Sequence, residues 1–131
     1  MGTLNQSALN YKRKRHYPYS AALLKNPQVR GRFNRIVILT PRKPNSALRK
    51  VGKVSLYNGK RITAKIPGSG VLPTKFSIVL AKGRGHRDTP GVKYTLIRGS
   101  LECIPIFEKT RRRSIYGVPT SNRIRVPRYL R

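Results

Sequence analysis

Between residues 34 and 100 apolar and polar positions alternate in short runs, the period of half-buried β-strands. Arg35-Ile36-Val37-Ile38-Leu39 is rich in β-branched residues and predicts a first strand. Val51, Val54 and Leu56 open a second, with Val54 and Leu56 alternating with polar or basic neighbours. Tyr57-Asn58-Gly59-Lys60 is the clearest turn signal, since Asn-Gly suits the φ > 0 pair of a type I′ hairpin. Ile62, Ala64 and Ile66 then share one face of a returning strand. Phe76-Ser77-Ile78-Val79-Leu80-Ala81 is more continuously apolar and predicts a strand buried on both faces, Phe76 included. Residues 92–99 supply a fifth strand. Five short strands with glycine-rich connections hide their edges best by closing. The expected fold is therefore all-β, a small five-stranded OB-fold barrel; an SH3-like barrel is the alternative that pattern does not separate.

The flanks lack this alternation. Residues 1–33 read as a basic N-terminal extension in which only Ala21-Ala22-Leu23-Leu24-Lys25 suits a helical turn, ended by Pro27. Residues 101–131 read as a basic C-terminal extension. With the barrel at 34–100 this is one domain with two tails, each expected to order only against a partner.

Charge says what kind of partner. The 131 residues carry 30 Lys+Arg and three acids, a formal net charge of +27. The acids are Asp88, Glu102 and Glu108, so the first 87 residues have none. A chain so charged repels itself, and a polyanion is the natural remedy. Nucleic acid is the first candidate and an anionic membrane surface the second; no apolar run approaches a membrane span. Binding to phosphates should weaken steeply with salt. Lys12-Arg13-Lys14-Arg15 is interleaved with Tyr11, Tyr17 and Tyr19, and Arg111-Arg112-Arg113 is followed by Tyr116. Cations beside rings suit RNA, where cations track phosphates and rings stack on bases.

Two loops carry the candidate chemistry. In residues 40–50, Pro41 and Pro44 fix φ, and the loop bears Arg42, Lys43, Arg49 and Lys50 with Asn45 and Ser46 between them. A stiff loop loses little entropy on binding. Its small amide and hydroxyl suit close approach to the shallow RNA minor groove. In residues 82–91, Arg84, His86 and Arg87 lie among glycines and suit backbone contacts; Pro90 and Gly91 end the loop. Gly83-Arg84-Gly85 is followed by neither a Lys-Ser/Thr pair nor a helix, against a nucleotide-binding loop. Asp88 is expected to stay ionised, pairing with Arg87 or capping the Thr89-Pro90-Gly91 turn.

Enzyme chemistry is disfavoured. Three scattered acids do not make a two-metal site. His86 and Asp88 have no evident nucleophile beside them. His16, His86 and Cys103 are too few and too separated for zinc, and one cysteine forms no internal disulfide. No catalytic residue, metal, cofactor or small-molecule substrate is expected.

The run Pro41-Arg42-Lys43-Pro44-Asn45-Ser46-Ala47-Leu48-Arg49-Lys50-Val51 resembles the signature loop of the small-ribosomal-subunit protein twelve family, the decoding-centre proteins associated with streptomycin resistance. Asp88-Thr89-Pro90-Gly91-Val92-Lys93-Tyr94 and Ile97-Arg98-Gly99 extend the resemblance, which covers residues 26–117. It implies an OB barrel holding two loops against ribosomal RNA and the mRNA–tRNA duplex, with neighbouring ribosomal proteins as partners. Pro44, Asn45 and Ser46 take the places of residues that meet the inspecting adenines and the codon. Arg42 and Lys43 take the basic pair where resistance changes fall, and Asp88 takes an aspartate that is methylthiolated in many bacteria. Arg42 and Arg87 stand where lysines are usual, the second loop reads Gly83-Arg84-Gly85-His86-Arg87 rather than Gly-Gly-Arg-Val-Lys, and residues 118–131 have no counterpart. Thr3, Asn5 and Gln6 resemble the family's mature start, against a cleaved leader despite the basic N-terminus. The scarcity of acids, the altered second loop and the unusual C-terminal tail point to a mitochondrial ribosome, with a chloroplast or a bacterial cytoplasm as alternatives. The rival function is a free-standing OB-fold RNA chaperone, which would bind single strands through sheet aromatics.

Overall fold

A computed structural model of the chain describes residues 2–9 and 18–120. Lys12, Arg13, Lys14 and Arg15, and residues 121–131 of the C-terminal extension, lie outside the described residues. The strands are β1 (Gln28–Leu39), β2 (Arg49–Leu56), β3 (Arg61–Lys65), β4 (Ile78–Gly83) and β5 (Tyr94–Leu96). They close in the order β1-β2-β3-β5-β4, with β3 and β5 parallel and every other pair antiparallel. One long strand pairing with both β2 and β4 closes the sheet, the arrangement of the OB barrel.

The alternating apolar positions face one interior. Phe33, Val54, Leu56, Ile62, Ala64, Val79, Ala81, Tyr94 and Leu96 form its core. β1 turns from β4 to β2 through a register shift between Phe33 and Arg35, which a bulge at that point provides. Gly52 lies under the Phe33 ring, so close that a β-carbon there would overlap it. A 3-10 helix, Pro18–Leu23, inserts Leu23 into the core, and the Ala22 N–H donates to the Tyr94 hydroxyl at 3.0 Å.

Several elements differ from their sequence expectations. β1 begins at Gln28, before the expected boundary at 34, because Gln28–Arg32 pair with β4. β5 shrinks to Tyr94–Leu96, since Arg98 and Gly99 enter a turn. The Asn58-Gly59 turn is not type I′: only Gly59 has positive φ (82°). Its N–H donates to the Leu56 carbonyl at 3.0 Å, giving a three-residue loop in which glycine takes the left-handed position. Asn58 is recruited elsewhere, its Nδ2 donating to the Ala22 carbonyl at 2.6 Å.

Phe76 is a correction: it is 61% exposed, precedes β4 and has φ of 68°. Its N–H donates to the Phe33 carbonyl at 2.7 Å, which turns the ring outward, and Lys75 Nζ stands 4.9 Å from the ring centre. β4 itself buries Val79 and Ala81, while Ile78 and Leu80 are only half-buried, so its second face is partly open.

The segment after β5 is the largest correction. Residues 99–118 are packed on the barrel rather than left to a partner. Cys103 is 1% exposed and joins the core, where burial pushes its thiol up. Arg98 is 3% exposed and ties the segment down. Its Nε donates to the Pro67 carbonyl at 3.0 Å, and its Nη1 to the carbonyls of Val71 and Ile104. Burial pulls this guanidinium below the usual arginine value. A short exposed helix, α1 (Leu4–Leu9), precedes the barrel. A second, α2 (Arg113–Tyr116), ends at Gly117, whose φ of 70° and close approach to the Arg98 carbonyl admit only glycine.

Candidate nucleic-acid interface

The first loop leaves β1 at Leu39 and returns at Arg49. Its tip is a tight turn, with the Asn45 N–H donating to the Arg42 carbonyl at 3.1 Å across a cis Lys43-Pro44 peptide. Pro41 is half-buried, while Arg42, Lys43, Pro44, Asn45 and Ser46 are exposed. Lys50 is exposed on β2, opposite Ile38.

The second loop joins β4 to β5. Thr95 Oγ1 donates to the Arg84 carbonyl at 2.8 Å and fixes its start. The Val92 N–H donates to the Thr89 carbonyl at 3.2 Å, closing a turn with Pro90 and Gly91 at its centre and Gly91 at φ 85°. Arg84, His86, Arg87, Pro90 and Gly91 are exposed. The Asp88 N–H donates to His86 Nδ1 at 3.3 Å.

Asp88 joins the two loops. Its carbonyl accepts the Arg42 N–H at 2.8 Å. Its Oδ1 accepts Asn45 Nδ2 at 2.5 Å and its Oδ2 accepts Arg49 Nε at 2.8 Å. Its side chain retains 8% exposure. The expected pairing with Arg87, or cap on the following turn, is thus corrected: the Arg42 backbone bond faces Asp88 toward the first loop, where Asn45 and Arg49 converge. Their hydrogen bonds hold the Asp88 carboxyl below the usual carboxylate value.

The clasp shapes what the loops present. Asn45 is engaged through its amide nitrogen, while Pro44, Asn45 and Ser46 all remain exposed at the tip. Between the loops lies a cleft of about 470 Å³ lined by Arg42, Lys43, Arg49 and Arg87, with Asp88 its only carboxylate among the described residues. A concave surface with excess positive charge concentrates anions.

The structure also brings in residues that pattern did not single out. Lys65 and Lys82 sit on β3 and β4 beside Arg84, lysines whose only sequence signal was their place among outward positions. Lys65 has its pKa lowered by burial, then by the neighbouring Arg49 and Arg84 charges, against a single opposing contribution from Asp88. Of the C-terminal arginines, Arg111 and Arg112 are exposed and Arg113 begins α2; Arg112 faces the same cleft as Arg84.

Residues 17–118 match the family model described as Ribosomal protein S12/S23. The chain is 47% identical, over 118 residues, to the small ribosomal subunit protein uS12m of Paramecium tetraurelia, a match spanning 90% of this chain and 85% of that relative. The chain belongs to the ribosomal protein S12/S23 family, whose members are structural, non-enzymatic components of the ribosome.

Proposed function

We propose that this chain is a structural constituent of the small subunit of a mitochondrial ribosome, bound to its ribosomal RNA and to neighbouring ribosomal proteins, and that its clasped loops stand at the decoding site. Family membership, the mitochondrial small-subunit relative and the +27 charge support the first part. The observation that carries the second is the Asp88 clasp, which stiffens the first loop while leaving Pro44, Asn45 and Ser46 exposed.

In this reading Ser46 and Asn45 hydrogen-bond to groups displayed by the mRNA–tRNA duplex and the inspecting bases, and Pro44 supplies shape. Losing one such bond costs about 0.5–3 kcal/mol, enough to change tRNA discrimination several-fold. Arg42, Lys43, Arg49, Lys50, Arg84, His86 and Arg87 hold backbone phosphates. The Pro90-Gly91 turn, with no bulky side chain at Gly91, lets RNA approach the main chain. Asp88 is the candidate site of methylthiolation. Lys12–Arg15 and Arg111–Arg113 anchor the extensions on RNA.

Sedimentation of the tagged protein from gently lysed mitochondria tests the placement. Co-migration with the small subunit through a high-salt wash is expected. Free or readily stripped protein would overturn it in favour of a dissociable RNA-binding protein.

A further inference from the structure

A second cationic cleft lies between the barrel wall and the docked C-terminal segment. It has a volume of about 210 Å³ and is lined by Lys65, Lys82, Arg84, Thr95, Arg112 and Tyr116 among others. Among the described residues, four Lys and Arg side chains line it and no carboxylate does. The nearby acid, Asp88, is already bonded to Arg49 and Asn45. Glu102 accepts the Ile78 N–H at 2.6 Å.

The cleft is built rather than incidental. The Thr95 hydroxyl holds the Arg84 carbonyl at the rim. On the other wall, the Ile106 N–H donates to the Tyr116 carbonyl at 3.1 Å. Gly68, at φ 74°, lies so close to the Tyr116 ring that a β-carbon there would come within 2.8 Å of it. Gly117 abuts the Arg98 carbonyl equally tightly. These two glycines bring the segment carrying Arg112 against the barrel.

We propose that Arg84 and Arg112, which line this cleft together with Lys65, grip one phosphodiester of ribosomal RNA, so that docking of the C-terminal segment creates an RNA contact that neither element makes alone. The proposal rests on the ribosomal reading above and adds a specific composite site. A phosphate supplies the missing counter-charge, and two guanidiniums suit its oxygens. It also relieves the repulsion that Arg49 and Arg84 exert on Lys65.

The test is an NMR titration of the full-length ¹⁵N-labelled protein with the dinucleotide UpU, which carries one phosphodiester, and separately with inorganic phosphate. Saturable UpU-dependent shifts at the Gly85, Thr95 and Ser114 amides are expected. Arg112→Gln should weaken UpU binding about fivefold or more. Gly117→Ala should weaken it comparably by displacing the segment, although no charge changes. Arg35→Gln, on an exposed part of β1, should leave it unaltered. Shifts that never saturate, equal binding by Arg112→Gln, or binding of inorganic phosphate without UpU would each overturn the proposal. If UpU fails while the protein still sediments with the small subunit, this site alone is wrong. If it also fails to sediment there, the ribosomal reading falls as well.

Discussion

Asp88 and Arg49 form a 2.8 Å ion pair between residues 39 apart in sequence, and that pair fastens the β4–β5 loop to the root of the β1–β2 loop. Asn45 completes the fastening from the loop tip at 2.5 Å. The barrel provides a stiff base, and the clasp extends that stiffness to the exposed residues.

Asp88→Asn should loosen the first loop without unfolding the barrel, because the charge that holds Arg49 is lost. Amide exchange at Arg42 and Asn45 should quicken, while exchange at Leu96, in the core, should not. The pH dependence follows from the lowered pKa of Asp88. A depressed carboxyl stabilises the native form above the unfolded carboxylate range, about pH 4, and that contribution disappears as pH falls through the native value. The Arg42 amide resonance should therefore hold its bonded position through the pH at which a free aspartate is half protonated. A titration at the ordinary aspartate value would contradict the clasp.

Gly52→Ala should destabilise the free protein by about 1–3 kcal/mol, the usual cost of overpacking. The new methyl would meet the Phe33 ring, itself 1% exposed and unable to swing into solvent without opening the core. Urea unfolding should show a lower midpoint with an unchanged slope.

Arg98→Ala should cost about 2–4 kcal/mol, since it leaves the carbonyls of Pro67, Val71 and Ile104 without their donor. The C-terminal segment should loosen first. Faster exchange of the Gly99 amide, which donates to the Cys103 carbonyl at 2.9 Å, would report it. Exchange unchanged at Gly99 would show that Arg98 is not what holds the segment.

Much of the barrel was legible because its strands obey a period of two and Asn58-Gly59 marks a hairpin. What escaped was set by contacts distant in sequence. Phe76 reads as a core residue, yet a backbone bond to Phe33 turns it outward. Asp88 reads as a partner for its neighbour Arg87, because nothing local shows that Asn45 and Arg49 will face it. Residues 101–118 read as part of a tail because they have no periodicity; they dock through a buried arginine that grips carbonyls, and through Gly68 and Gly117, whose role is visible only once the neighbouring atoms are placed. The first loop was readable for a different reason, since its two prolines and outward cations need little tertiary context.

The measurement that bears most directly on the decoding role is the misreading frequency of near-cognate codons by ribosomes carrying Ser46→Ala or Pro44→Ala. Both residues are exposed, so the barrel should fold unaltered, and the comparison is made on subunits shown by sedimentation to be fully assembled. Discrimination between cognate and near-cognate tRNA should change several-fold, in line with the loss of about 0.5–3 kcal/mol of contact at the loop tip. Unaltered misreading by both variants, in fully assembled subunits, would contradict the account and leave the first loop with a purely structural part.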